Sequence, residues 1–287
     1  MISRRHLLKS SIGLIGLSYI NIYQPFARDK SNRLKIGACD WSIHQHSNVD
    51  AIKTGKMIGL DGVQISLGTL KNDMHLRQRG VQDLYKKASK EHGVAIGGIA
   101  IGEMNSIPYK SDLRAEQWVS DSIDVAQTMG CKVVLMAFFN NGDLKGDKEG
   151  TKEVIKRLKK VAPKAEDKGI ILGIESWLSA EEHMEIIDAV GSPNVKVYYD
   201  VANSNKMGYN IYEEIRWLGK DNICEFHAKE NGFLLGKGLV DFKEVRKAID
   251  DIGFEGWVMI EGAVPKGDDM FESYVLNNKY LRSVLNS

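Results

Sequence analysis

Cysteine is too scarce here to build anything from disulfides. The 287 residues contain three, Cys39, Cys131 and Cys224, few, odd in number and far apart, which excludes a cystine framework. Proline is sparse too, at 5 residues, and no Pro/Ser-rich linker or low-complexity segment interrupts the chain, so one domain is the simplest organisation. A transmembrane span is also missing. The apolar run from Ser10 to Tyr23 covers 14 positions with Ser, Asn and Gly inside it, whereas a spanning helix needs about 20. Net charge is nearly absent, at +1, but that figure sums unlike parts. Arg4, Arg5, Lys9, Arg28, Lys30 and Arg33 against Asp29 give the first 33 residues +5, leaving 1 − 5 = −4 for the rest. A mildly acidic body removes the electrostatic support for nucleic-acid binding. What remains, 43% hydrophobic and 27% charged, is an ordinary globular composition.

The positive charge has a purpose of its own. Ser3-Arg4-Arg5-His6-Leu7-Leu8-Lys9 precedes the acid-free run Ile12 to Ile22, a basic stretch before a short apolar one, and the paired arginines resemble the twin-arginine export signal of bacteria. Residues 1–30 are therefore expected to be an export signal, with the protein periplasmic. Gln24-Pro25-Phe26-Ala27 is not a clean A-x-A cleavage site, so a retained membrane anchor is the alternative to cleavage. Contact with a membrane is expected only through this segment.

From Leu34 onward, short apolar runs alternate with longer amphipathic stretches. Strands are expected at Lys35 to Cys39, Gly62 to Ile65, Ala95 to Ile101, Lys132 to Ala137, Ile170 to Ile174, Val195 to Tyr199, Ile223 to Phe226 and Gly256 to Ile260, each reading as buried on both faces. Helices are expected at Asn48 to Ile58, Val81 to His92, Leu113 to Met129, Glu149 to Lys168, Ala180 to Val190, Ile211 to Leu218, Phe242 to Ile252 and Met270 to Leu285, with Gly130, Gly169 and Gly253 as stops. Eight βα units over residues 34–287 predict an α/β fold, a single (β/α)8 TIM barrel. The competing doubly wound sheet would need a glycine-rich phosphate loop after the first strand. Ala38-Cys39-Asp40-Trp41-Ser42 is not one.

In such a barrel the chemistry lies where strands end. Four consecutive strands there deliver Glu175, Asp200, His227 and Glu261. One acidic residue after a strand is more often a helix cap than a ligand, but four at equivalent positions predict convergence on one divalent cation. Three carboxylates and an imidazole suit Mn²⁺ first, with Mg²⁺, Co²⁺ and Zn²⁺ as alternatives.

Gly62-Val63-Gln64-Ile65-Ser66, Gly173-Ile174-Glu175, Tyr199-Asp200-Val201-Ala202-Asn203, His227-Ala228-Lys229-Glu230-Asn231, Gly236-Lys237-Gly238-Leu239-Val240-Asp241-Phe242 and Trp257-Val258-Met259-Ile260-Glu261 together resemble the xylose-isomerase-like sugar phosphate isomerase/epimerase superfamily. The resemblance runs through the whole of residues 34–287. It implies a barrel with one divalent metal held by Glu175, Asp200, His227 and Glu261. It also implies proton exchange next to a carbonyl through an enediolate, with Glu175 and Glu261 doubling as catalytic acid and base on opposite faces of the substrate. Members include ketose 3-epimerases, sugar isomerases, inosose-processing enzymes, enzymes of 3-keto sugars and 3-keto glycosides, and a DNA-repair endonuclease branch. Two departures matter. Ketose 3-epimerases commonly carry His where this chain has Asn203, and Arg shortly after the strand-7 His, where Asn231-Gly232-Phe233-Leu234 stands here.

Substrate contacts are expected from other strand ends: Trp41, His44, Gln64, Glu103, Asn140, Trp177, Asn203 and Lys229. Trp41 and Trp177 are candidate stacking walls; Asn203 reads equally well as a helix cap, and Asp241 as one. Lys229, Lys237 and Lys266 are scattered and no arginine fork is visible, so a non-phosphorylated keto-sugar is expected as substrate. A 3-keto-glycoside lyase, using the same base and metal for β-elimination, is the runner-up, and a non-catalytic sugar-binding barrel the next alternative. The endonuclease reading lacks the additional histidines of that branch. The partner is thus a small sugar or glycoside and not a nucleic acid. Many members dimerise, and a homodimer is an option that no patch in this sequence establishes.

Overall fold

A computed structural model describes residues 34–285; the export-signal reading, on residues 1–30, lies outside them. Strands β1 (Leu34–Cys39), β2 (Gly62–Ser66), β3 (Ala95–Ile101), β4 (Val133–Phe138), β5 (Ile171–Ser176), β6 (Val195–Asp200), β7 (Ile223–Lys229) and β8 (Gly256–Glu261) pair in chain order, all parallel, and β8 closes on β1. Around them lie helices α1 (Asp50–Ile58), α2 (Arg79–His92), α3 (Leu113–Met129), α4 (Lys148–Lys168), α5 (Ala180–Val190), α6 (Val201–Lys206), α7 (Ile211–Asn222), α8 (Phe242–Ile252) and α9 (Met270–Leu285). This is a (β/α)8 barrel. Among the described residues no helix is long and apolar enough to cross a membrane.

Two layers of packing make the core. The outer faces of the strands bury Ile36, Val63, Ile99, Val134 and Leu172 against apolar helix faces, removing about 25 cal/mol of unfavourable hydration per Å² of apolar surface. The inner faces are crowded. A Cβ on Gly37 or Gly97 would collide with Met259, so glycine there is what lets large residues of β8 fill the barrel interior.

Several strands run further than their apolar stretches indicate: β5 to Ser176, β6 to Asp200, β7 to Lys229 and β8 to Glu261. The polar ends stay in the ladder, because Asp200 pairs with His227 and Lys229 with Glu261. The metal-capable residues are therefore inward-facing positions at or near the ends of strands, not loop residues. Helix α7 also outruns its expected end at Leu218, passing a break at Gly219 (φ 68, ψ 169). Helix α6 is additional, and Asp200 creates it: its Oδ1 accepts from the backbone N–H of Ala202 and Asn203 at 2.9 and 2.8 Å, an N-cap. Asp241 caps α8 in the same way, as expected.

The turn after β5 is held by a buried Ser–His pair. His183 Nδ1 lies 2.9 Å from the Ser179 carbonyl and so must donate to it, which leaves Nε2 to accept from the Ser176 hydroxyl at 3.0 Å. Burial pushes His183 down to about 4. In the unfolded chain it titrates near 6.5, so between about pH 6.5 and pH 4 the unfolded chain binds the proton that the native state refuses. Stability is therefore intact above pH 6.5 and lost on acidification through that window, by about 3 kcal/mol for this one group. Urea denaturation of the unmodified protein and His183→Gln at pH 7.5 and 4.0 should show a smaller acid loss in the variant. Equal losses in both would exclude the assignment.

Candidate metal centre and substrate cavity

Side chains alternate along a strand, and this rule aims the site. On β7, Glu225, His227 and Lys229 share the inward face; Asp200 sits beside His227 in register, and Glu261 beside Lys229. Glu175 and Glu261 close the arc from β5 and β8. His227 Nδ1 lies 3.0 Å from Glu175 Oε1, 3.6 Å from Glu261 Oε2 and 3.7 Å from Asp200 Oδ2. One donor atom from each of the four falls within 4.8 Å of all the others.

The donor set fits a divalent cation. Asp200 Oδ2 is buried with no hydrogen-bond partner, a costly state for a carboxylate oxygen that an ion would relieve. Its other oxygen is committed to capping α6, so one carboxylate could serve both of the roles that sequence reading weighs as alternatives. Burial, reinforced by the charges of Glu261 and Asp200, pushes Glu175 up to about 7 against the opposing pull of His227. Burial also raises Glu261, but Lys229, His227 and Trp41 outweigh it and hold this carboxyl at about 2. Lys229 Nζ donates to Glu261 Oε2 at 2.7 Å, and Trp41 Nε1 to Glu261 Oε1 at 2.9 Å. Three oxygen donors and one imidazole nitrogen suit Mn²⁺, Mg²⁺ or Co²⁺ and also admit Zn²⁺.

Above the quartet opens a cavity of about 480 Å³. Glu175 and Glu261 reach its wall, while Asp200 and His227 do not. Trp41, Glu103, Trp177, Asn203 and Lys229, all candidates from strand ends, line it. Asn203 is not a cap, since Asp200 has that role; its Nδ2 points to Glu175 Oε1 at 3.5 Å. Three candidates fall elsewhere. His44 is exposed on a turn with φ 56, and His46 lines the cavity in its place. Asn140, with φ 50, is exposed, and Asn105 and Phe139 take the lining positions. Gln64 is fully buried under the quartet rather than beside the cavity, with its Oε1 3.2 Å from His227 Nε2.

Phe139 and Trp177 meet edge to face, centroids 5.0 Å apart, forming an aromatic corner. No periodicity signal marked Phe139, because it follows an all-apolar strand. Glu230 accepts from the backbone N–H of Leu239 and Val240 at 3.1 and 3.0 Å. This ties the loop after β7 back on itself, and Gly238 lies so close to Glu230 that a Cβ would strike its carboxylate.

A closed parallel barrel with Glu, Asp, His and Glu at the ends of its last four strands defines a class of protein. The chain belongs to the xylose isomerase-like TIM barrel family, whose model matches residues 52–278. D-psicose 3-epimerase of Enterocloster bolteae is 23% identical over 231 residues, 73% of this chain and 75% of that protein. The D-psicose 3-epimerase of Clostridium cellulolyticum H10, solved with D-tagatose, superposes with a TM-score of 0.75 at 19% identity, covering 88% of this chain and 99% of that one. Apo 3-keto-D-glucoside 4-epimerase from E. coli superposes at 0.72 with 16% identity, covering 87% and 99%.

Proposed function

We propose that this protein is a divalent-metal-dependent sugar epimerase or isomerase, exported from the cytoplasm, that acts on a non-phosphorylated keto-sugar. The division of the quartet carries the reading: Glu175 and Glu261, three strands apart around the mouth, face the cavity, while Asp200 and His227 lie behind them. The similarity to epimerases of free ketoses and of a keto-glucoside supports it. So does the charge of the cavity. Among the described residues, Lys229 is the lysine that lines it, and its ammonium is engaged by Glu261 and Asp200, so a phosphate would find no unpaired ammonium or guanidinium among them on the wall. The basic leader of residues 1–30 supports export.

A cation held by Glu175, Asp200, His227 and Glu261 would stabilise negative charge developing on the substrate's carbonyl oxygen. The chain's own groups do the rest. Glu175 and Glu261, at the cavity wall, are the pair that would exchange the proton, one accepting it and the other giving one back. In the reverse direction the roles exchange. Trp41 and the Phe139–Trp177 corner present apolar faces to the sugar's C–H surface, and Asn203 and Glu103 offer hydrogen-bond partners to hydroxyls.

Incubating Mn²⁺-loaded protein in D₂O with free ketoses and with 3-keto glycosides tests this. Deuterium at the carbon next to the carbonyl, together with the epimer, is the expected result. Aglycone release without epimer would transfer the same residues to β-elimination, and ligand binding with no exchange on any substrate would reduce the protein to a binding barrel.

A further inference from the structure

Beneath the quartet the barrel interior holds polar side chains that the proposed reaction does not use. Gln64 of β2 receives the Cys39 thiol on Oε1 at 3.3 Å, faces His227 Nε2 with the same oxygen at 3.2 Å, and donates from Nε2 to the Tyr198 hydroxyl at 3.0 Å. Tyr198 of β6 stands beside Glu225, its register partner on β7, whose Oε2 is buried without a hydrogen-bond partner. On β3 the facing residue is Gly98, where a Cβ would already touch Glu225 Oε2 and Gln64 Nε2; a bulkier side chain would push into the row. Strands β2, β6 and β7 thus supply the row, and β3 makes room for it.

We propose that Gln64 is a positioning residue that sets the tautomer of His227, with Tyr198 holding the Gln64 amide in the orientation this requires. The inference rests on the quartet being a metal centre. A carboxamide has one donor end and one acceptor end. With its NH₂ turned to Tyr198, its carbonyl faces His227, and only an N–H on Nε2 satisfies that contact. The imidazole proton then sits on Nε2, and the Nδ1 lone pair is free to point at the three carboxylates. Rotating the amide would present NH₂ to Nε2, draw the proton to Nδ1 and place a hydrogen where the ion must bind. Cys39 lies 3.4 Å from Nε2, but a thiol is a weak partner in either role and does not decide the tautomer. Partners of this kind behind a metal-bound histidine typically matter 10–100-fold for affinity.

The test is Mn²⁺ titration of the metal-free, full-length protein by calorimetry, with circular dichroism and a thermal melt in EDTA for each variant. Gln64→Leu is expected to bind Mn²⁺ about 10–100-fold more weakly. Gln64→Glu keeps an acceptor oxygen toward Nε2 and is expected to restore binding to within a few-fold of the unmodified protein. A merely structural role would lower the melting temperature of both and separate neither in affinity. Should Gln64→Leu not fold, Tyr198→Phe decides instead: it keeps the ring and removes the anchor of the amide, with an expected loss of up to about tenfold. Gln64→Leu, or in its place Tyr198→Phe, binding Mn²⁺ within twofold of the unmodified protein overturns the inference. No binding by the unmodified protein overturns it together with the metal reading, whereas Asp200→Asn losing Mn²⁺ while Gln64→Leu keeps it overturns the inference alone.

Discussion

Glu175→Gln and Glu261→Gln should each lower epimerisation by about 10²–10⁴-fold, the usual contribution of a positioned acid or base. Each change removes a titratable proton while keeping an oxygen donor toward the quartet, so at saturating Mn²⁺ the site can still fill. The informative result is how the two variants differ. If the glutamates work from opposite sides of the substrate, each variant retains one base. Glu175→Gln would then still wash deuterium into one epimer, and Glu261→Gln into the other, although neither interconverts the two. Proton NMR of both epimers in D₂O reads this directly. Loss of exchange in both epimers for both variants would mean that the glutamates act as one unit. Epimerisation within tenfold of the unmodified protein would remove them from the chemistry.

Such a test can be framed because much of the site is visible in the sequence. The strands are legible because a barrel strand buried on both faces must be nearly all apolar, and in such a run a polar residue stands out. Glu175, Asp200, His227 and Glu261 are exceptions of this kind at the ends of four successive runs. Glu225 is a fifth exception, and the same alternation that puts His227 and Lys229 inside puts Glu225 there too; period-two counting back from His227 identifies it. Other features have no local signal. His44 and His46 are two residues apart, and the choice between them depends on positive φ angles at His44 and Ser47 that turn the loop after β1. Gln64 reads as a cavity residue from its place near a strand end, yet β2 pairs so that Cys39 and Gln64 are neighbours, and the amide ends beneath the quartet, beside His227. Phe139 continues the inward alternation of Leu135 and Ala137, which line the same cavity, but an all-apolar strand carries no mark of which face is inward. Side-chain alternation is a local rule, whereas the height of a residue in the barrel is set by register between strands distant in sequence.

Asp200 offers the clearest separation of fold from metal. Its two oxygens do different things: Oδ1 caps α6 through Ala202 and Asn203, and Oδ2 is buried without a hydrogen bond, 3.5 Å from the Lys229 ammonium and turned toward the quartet. Asparagine caps helices as well as aspartate does, so Asp200→Asn should keep Oδ1 in place and turn an NH₂ toward the cation position. In EDTA the variant is expected to melt within a few degrees of the unmodified protein. With Mn²⁺ at about 1,000 times its dissociation constant, binding should stabilise the unmodified protein by about 4 kcal/mol, which for a domain of this size is a rise in melting temperature of about 8–16 °C. Asp200→Asn should lose nearly all of that rise, and metal-dependent exchange with it. Asp200→Ala, lacking the cap as well, should melt lower than Asp200→Asn even in EDTA, by about 1 kcal/mol of stability. A full Mn²⁺ shift in Asp200→Asn would show that the ion, if bound, is held elsewhere, and the quartet would lose the atom that most plainly calls for it.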